Sequence, residues 1–128
     1  MLPITSLYVG LLTLIFLALS YRVIFFRRAN RVSLGDADSK DLRQRVRGQA
    51  NFTEYTPIGL IILACVELQG APGLAVHILG LMLFAGRLLH AMAFWVHPMN
   101  FSYRTYGMIL TTLMQAVGAV GLILHSLL

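Results

Sequence analysis

Arg47, Asn51, Glu54 and Tyr55 stand at i, i+4, i+7 and i+8. That spacing lays a cation, a carboxamide, a carboxylate and a phenol along one stripe of an α-helix. Arginine grips carboxylates with a planar fork, a carboxylate receives an ammonium, and a carboxamide both donates and accepts. Such a stripe is a poor face to turn toward lipid and a good lining for a small zwitterionic ligand. Gln49 and Arg45 lie to its side. A second set follows downstream, where Arg87 and His90 are one turn apart and Phe94 is one turn further. Glu54 and Arg87 are the natural partners for a buried ion pair, because an unpaired charge in hydrocarbon is strongly disfavoured. His90 by itself reads as an interior histidine with its hydrogen bonds satisfied. Arg104 by itself reads as an anchor whose long stem lets the guanidinium reach the membrane interface.

The elements that carry these residues are membrane helices. The chain has 128 residues, of which 58% are hydrophobic and only 12% charged. A soluble domain of this size could not hide so much apolar side chain from water. A bilayer core of about 30 Å needs roughly 20 mostly apolar helical residues. Four stretches reach that length: Met1 to Tyr21, Gly48 to Gln69, Ala71 to Val96 and Thr105 to Leu128. They are continuous rather than alternating, so helices over about 3–28, 41–69, 72–96 and 103–127 are expected in a single domain. The first run lacks a basic segment before its apolar core, and basic residues rather than a small-residue cleavage pattern follow it. It is therefore read as a mature helix rather than a leader. Cys65 is the sole cysteine, which excludes a disulfide framework and a thiolate metal cluster, and no metal is expected.

The net charge of +5 is local. Arg22, Arg27, Arg28, Arg31, Lys40, Arg43, Arg45 and Arg47 account for eight of the ten Lys and Arg, and Arg104 follows the third run. The connection Leu68 to Gly73 carries no basic residue. By the positive-inside rule the first and third connections face the cytoplasm and both termini face the other side. A basic collar of this kind implies anionic lipid headgroups as partners, not nucleic acid. Ser39 or Asp38 is placed to cap the second helix, and Pro57 lies inside it. Gly118-Ala-Val-Gly121 suggests a close helix contact in the fourth.

The run Arg45-Val-Arg47-Gly-Gln49-Ala-Asn51-Phe-Thr-Glu54-Tyr55-Thr-Pro57 resembles the second-helix signature of the MAPEG family, the membrane-associated proteins in eicosanoid and glutathione metabolism. Arg27 to Ser33 resembles the basic segment that closes helix one in that family, and Phe84 to His90 resembles the middle of its helix three. The likeness extends over the chain in length, helix count and order. It implies a four-helix protomer, a homotrimer, and glutathione as co-substrate bound between neighbouring protomers near the cytoplasmic side. Arg47, Gln49, Asn51, Glu54 and Tyr55 match glutathione contacts of the family on helix two. Arg27 matches a basic contact at the end of helix one, and His90 stands where the family places a Tyr or His contact. Arg104 matches, after a short insertion, the arginine that holds the glutathione thiolate. Arg28 matches an arginine that assists the second substrate. Phe94 departs from the family pattern, standing where several members have a tyrosine.

The resemblance thus implies an integral protein of a bacterial inner membrane. It would be a glutathione-dependent transferase or peroxidase that turns the thiol on a lipophilic electrophile or hydroperoxide. The alternative is a non-catalytic binding or structural membrane protein with the same fold. A transporter or channel subunit is disfavoured, since so few interior charges leave little for a translocation path.

Overall fold

A computed structural model describes residues 1–128 as four long helices: α1 (Pro3–Asn30), α2 (Lys40–Leu68), α3 (Gly73–Trp95) and α4 (Phe101–Leu127). Against the ranges read from sequence, α1 runs two residues further and α4 begins two residues earlier. The starts and stops follow from local chemistry. Pro3 opens α1, where its missing N–H is not needed. Arg31, at φ 54°, ends α1 in the left-handed region, and its N–H turns back onto the carbonyls of Arg27 and Arg28. Of the two candidate caps for α2, Ser39 serves: its Oγ accepts from the Leu42 N–H at 3.2 Å. Asn100 caps α4 by accepting from the Tyr103 N–H at 3.0 Å.

α1, α3 and α4 are each long and apolar enough to cross a membrane. α2, also expected to span, falls short in hydropathy because Lys40, Arg43, Arg45, Arg47 and Glu54 crowd its first half. The interior is built from Leu12, Leu63, Val76, Leu83 and Met114, all fully buried. Large apolar side chains also cover the outside, among them Leu14, Phe25, Ile61, Ile109 and Val120. That outer coat suits a hydrocarbon solvent rather than water.

α3 and α4 make the most extensive helix pair, and glycine is the reason. A Cβ at Gly107 would lie 2.7 Å from both the Gly86 carbonyl oxygen and the His90 nitrogen, so the two backbones touch directly. The expected contact at Gly118 to Gly121 is only half present. Gly118 receives Ile62 of α2, whereas Gly121 faces open space.

Two clamps set the ends of the bundle. At the basic end, the Arg22 Nη atoms donate to the carbonyls of Phe94 and Trp95 at 2.8 Å each, and Gln44 Nε2 donates to those of Phe94 and Val96 at 3.1 and 2.6 Å. α1 and α2 thereby supply donors for the last carbonyls of α3, which have no partner within their own helix. At the opposite end, both carboxylate oxygens of Glu67 accept N–H groups from the first turn of α1, from Ile4 at 2.9 Å and Thr5 at 2.7 Å.

Candidate functional site

At the basic end, a pocket of about 290 Å³ opens between the start of α2, the end of α3 and the start of α4. Its lining includes Arg47 and Asn51 from α2, Phe94 from α3 and Arg104 from α4. Arg104 lies over the Phe94 ring at 5.8 Å, and the His90 ring stacks on Phe94 at 4.8 Å. Three residues singled out in the sequence, Arg47, Asn51 and Arg104, therefore converge on one concave site from two helices.

The rest of the predicted set divides. Glu54 does not line the pocket; it lies beside Arg47, at 3.7 Å, with both side chains about half exposed. A surface pair so exposed contributes little to stability. Tyr55 turns inward instead, with its ring 5.7 Å from the Arg87 guanidinium. His90 is 2% exposed and sits behind Phe94, out of the pocket. Gln49 points the other way and donates to Ser20 of α1 at 3.1 Å. Arg27 donates to the Gly35 carbonyl at 2.8 Å and shares with Arg47 a second, shallower groove beside the first loop. Arg28 lies on the outer surface at the end of α1, next to Arg27 and Arg31.

The expected Glu54–Arg87 ion pair does not form. Arg87 is 1% exposed and donates through Nη1 to Asn51 Oδ1 at 2.8 Å and through Nε to Thr111 Oγ1 at 3.0 Å. Nη2 approaches Met108 Sδ at 3.3 Å. The reason is angular. Glu54 lies three residues beyond Asn51, about 60° away around the helix, and this turns it to the outer face. Asn51 reaches the guanidinium first, and neutral oxygens take the place of the carboxylate.

Sequence reading missed four lining residues: Lys40, Arg43, Gln44 and Met99. Three of these were within reach, because Lys40, Arg43, Gln44, Arg47 and Asn51 extend the same helical stripe backwards at steps of three and four. Met99 comes from the connection before α4, and no periodic pattern marks it. The first loop closes over this end through Asp36. Its Oδ2 accepts from Arg43 Nε at 2.7 Å, and its Oδ1 accepts from the Asp38 N–H at 3.0 Å. The Arg43 hydrogen bond foremost, then the Asp38 N–H, holds the Asp36 carboxyl below the usual carboxylate range.

Comparison with known proteins agrees with this architecture. The profile of the MAPEG family matches residues 5–124. The inner membrane protein YecN of Escherichia coli K12 is 35% identical over 105 residues, spanning 82% of this chain and 79% of that protein. The same protein from Escherichia coli O6:H1 matches with the same identity and coverage. No solved structure is matched. With three helices long and apolar enough to cross a membrane, a family match over nearly the whole length and an inner-membrane relative, the chain is an integral membrane protein and belongs to the MAPEG family.

Proposed function

We propose that this protein is a glutathione-dependent transferase or peroxidase of the inner membrane, acting on a lipophilic electrophile or hydroperoxide that arrives from the bilayer. The observation that carries the reading is the convergence of Arg47, Asn51 and Arg104 on one pocket at the basic end. Glutathione brings two carboxylates, an ammonium and a thiol. Arg47 and the neighbouring cations suit its carboxylates, and Glu54, beside Arg47, suits its ammonium. Arg104 suits the thiolate. A nearby guanidinium lowers a thiol's pKa from about 8.5, and each unit gained multiplies the thiolate fraction about tenfold above the new pKa. Arg104 keeps its own proton, so it stabilises the thiolate electrostatically and does not act as a base. The sulfur lone pair then forms a bond to the electrophilic carbon while the leaving group departs with its electron pair. With a hydroperoxide, the thiolate instead attacks the terminal oxygen, forming the sulfenic acid of glutathione as the O–O bond breaks and the alkoxide leaves with its electron pair to take up a proton. A second glutathione then reduces the sulfenic acid, giving the disulfide and water. Arg28, on the outer surface at the end of α1, is the residue assigned to the second substrate.

The outward face of α2 supports a homotrimer. It carries Arg47 and Glu54 and then Ile58 and Ile61, all exposed in the isolated protomer. A charged stripe running into an apolar one is an unfavourable surface for lipid and is relieved by a second copy. Arg27 and Gln49 face away from the pocket of their own chain, as residues donated to a neighbour's site would. The positive-inside rule orients the pocket toward the cytoplasm and both termini away from it.

Calorimetric titration of the detergent-purified protein with glutathione tests the site. The wild type should release heat, and Arg47→Ala should lose at least tenfold in affinity, as expected for a charge-assisted contact. Turnover of a chlorodinitrobenzene tests the reaction, and Arg104→Ala should abolish most of it. Phe94 supports a second reading, a membrane protein that binds glutathione without turnover, because it offers the pocket no hydroxyl for proton transfer. Binding without turnover would select that reading.

A further inference from the structure

Arg87 is a buried guanidinium without a carboxylate. The three ion pairs of the chain are Arg43–Asp36, Arg45–Asp41 and Arg47–Glu54, and none includes it. It is held by oriented neutral oxygens, and those orientations are forced. The Thr111 hydroxyl donates its proton to the Gly107 carbonyl at 2.8 Å, so toward Arg87 Nε it can only accept. The Gly86–Gly107 backbone contact brings α4 near enough for Thr111 to reach. Arginine has donors and no acceptor, so the Asn51 atom 2.8 Å from Nη1 must be the oxygen. Nη1 also lies 3.4 Å from the Asn51 backbone carbonyl, which fixes the guanidinium against that one residue. The Asn51 amide can therefore not flip without setting N–H against N–H. Its NH₂ is turned away from Arg87, donates to nothing in the chain, and belongs to a residue that lines the pocket.

We propose that Arg87 is a positioning residue whose fixed donors lock the Asn51 carboxamide so that the pocket meets only its NH₂. The cationic lining residues and this NH₂ then present donors. Gln44 adds no donor, since its Nε2 is spent on the α3 carbonyls, and its Oε1 faces His97 Nδ1 at 3.1 Å. At Asn51 the site accepts a carboxylate, a thiolate or an amide carbonyl, and it rejects an ammonium. This assignment of ligand polarity rests on the glutathione reading of the pocket, whereas the orientation of the amide does not.

Two measurements separate these. The first is calorimetry with glutathione. Asn51→Asp keeps an oxygen toward Arg87 but turns a negative charge into the pocket. It should melt no lower than wild type and bind at least tenfold more weakly. Arg87→Gln lets the amide turn over. It should weaken binding several-fold in the wild-type background and not at all when Asn51 is already alanine. An equal loss in both backgrounds, or wild-type affinity in Asn51→Asp, would overturn the proposal. The second measurement needs no ligand. The side-chain NH₂ of ¹⁵N-labelled Asn51 should exchange freely with solvent in the wild type and become protected in Arg87→Gln, where it turns to donate to the glutamine oxygen. Protection in the wild type sinks the orientation. Absence of glutathione heat from the wild type sinks the glutathione reading and leaves the exchange measurement to decide the orientation.

Discussion

The two ends of the bundle use polar groups at membrane depth in opposite ways. At the α1 start, the Glu67 carboxylate and the Tyr8 hydroxyl are spent on the chain itself, and only Thr5 Oγ1 is buried without a partner. Glu67 gives both oxygens to the first turn of α1, and the Tyr8 hydroxyl donates to the His77 carbonyl at 3.1 Å. At the basic end, Arg22, Gln44 and Arg87 are spent in the same fashion, but Arg47, Arg104 and the Asn51 NH₂ remain directed into a pocket. A staple and a site are built from the same residue types. What separates them is whether the hydrogen-bonding capacity is consumed inside the fold or left over at a cavity.

The sharpest way to break the basic end is to force α3 and α4 apart. Gly107→Val should lose folded protein outright or melt far lower, since the added carbons would strike backbone rather than movable side chains. Gly121→Val in the same helix meets nothing within 4 Å and should melt like wild type. Thermal unfolding in detergent reads both.

Next in size is an exchange of effects between the ends. Glu67→Gln removes the charge from two hydrogen bonds and can present only one carbonyl to the two N–H groups of α1. It should lower the melting temperature and leave glutathione affinity unchanged. Arg47→Ala should do the reverse, because its partner Glu54 is half exposed and the pair holds little stability. Similar outcomes for both variants would erase the distinction between staple and site.

The smallest expected effect is a pH dependence of the first loop. The folded-state pKa of Asp36 is depressed, so the order it confers is complete above the ordinary carboxylate pKa and is lost as pH falls through the lowered one. The protection of the Asp38 amide, taken relative to its intrinsic exchange rate at each pH, should fall in acid, and Asp36→Asn should remove that acid dependence.

Much of this was legible in the sequence. Apolar run length determines four helices regardless of their partners, because hydrocarbon leaves the backbone no alternative to internal hydrogen bonding. The basic collar and the Arg47–Asn51 repeat are likewise one-dimensional signals, as are Ser39 at the start of α2 and Pro3 at the start of α1. The pairing of charges was not legible. Periodicity places Glu54 and Arg87 on inward-facing stretches, but a helix turn of about 60° between Asn51 and Glu54 decides which one meets the guanidinium. Only the packing of α2 against α3 sets which of the two faces Arg87. Thr111 and Met108 were invisible for the same reason, since their role exists only where Gly86 and Gly107 let two helices touch. The chain by itself determined how many helices form and at which end the cations gather. Which polar groups would satisfy one another, and which would be left facing a cavity, was decided by tertiary structure, because hydrogen bonds depend on distances of a few tenths of an ångström that no residue spacing encodes.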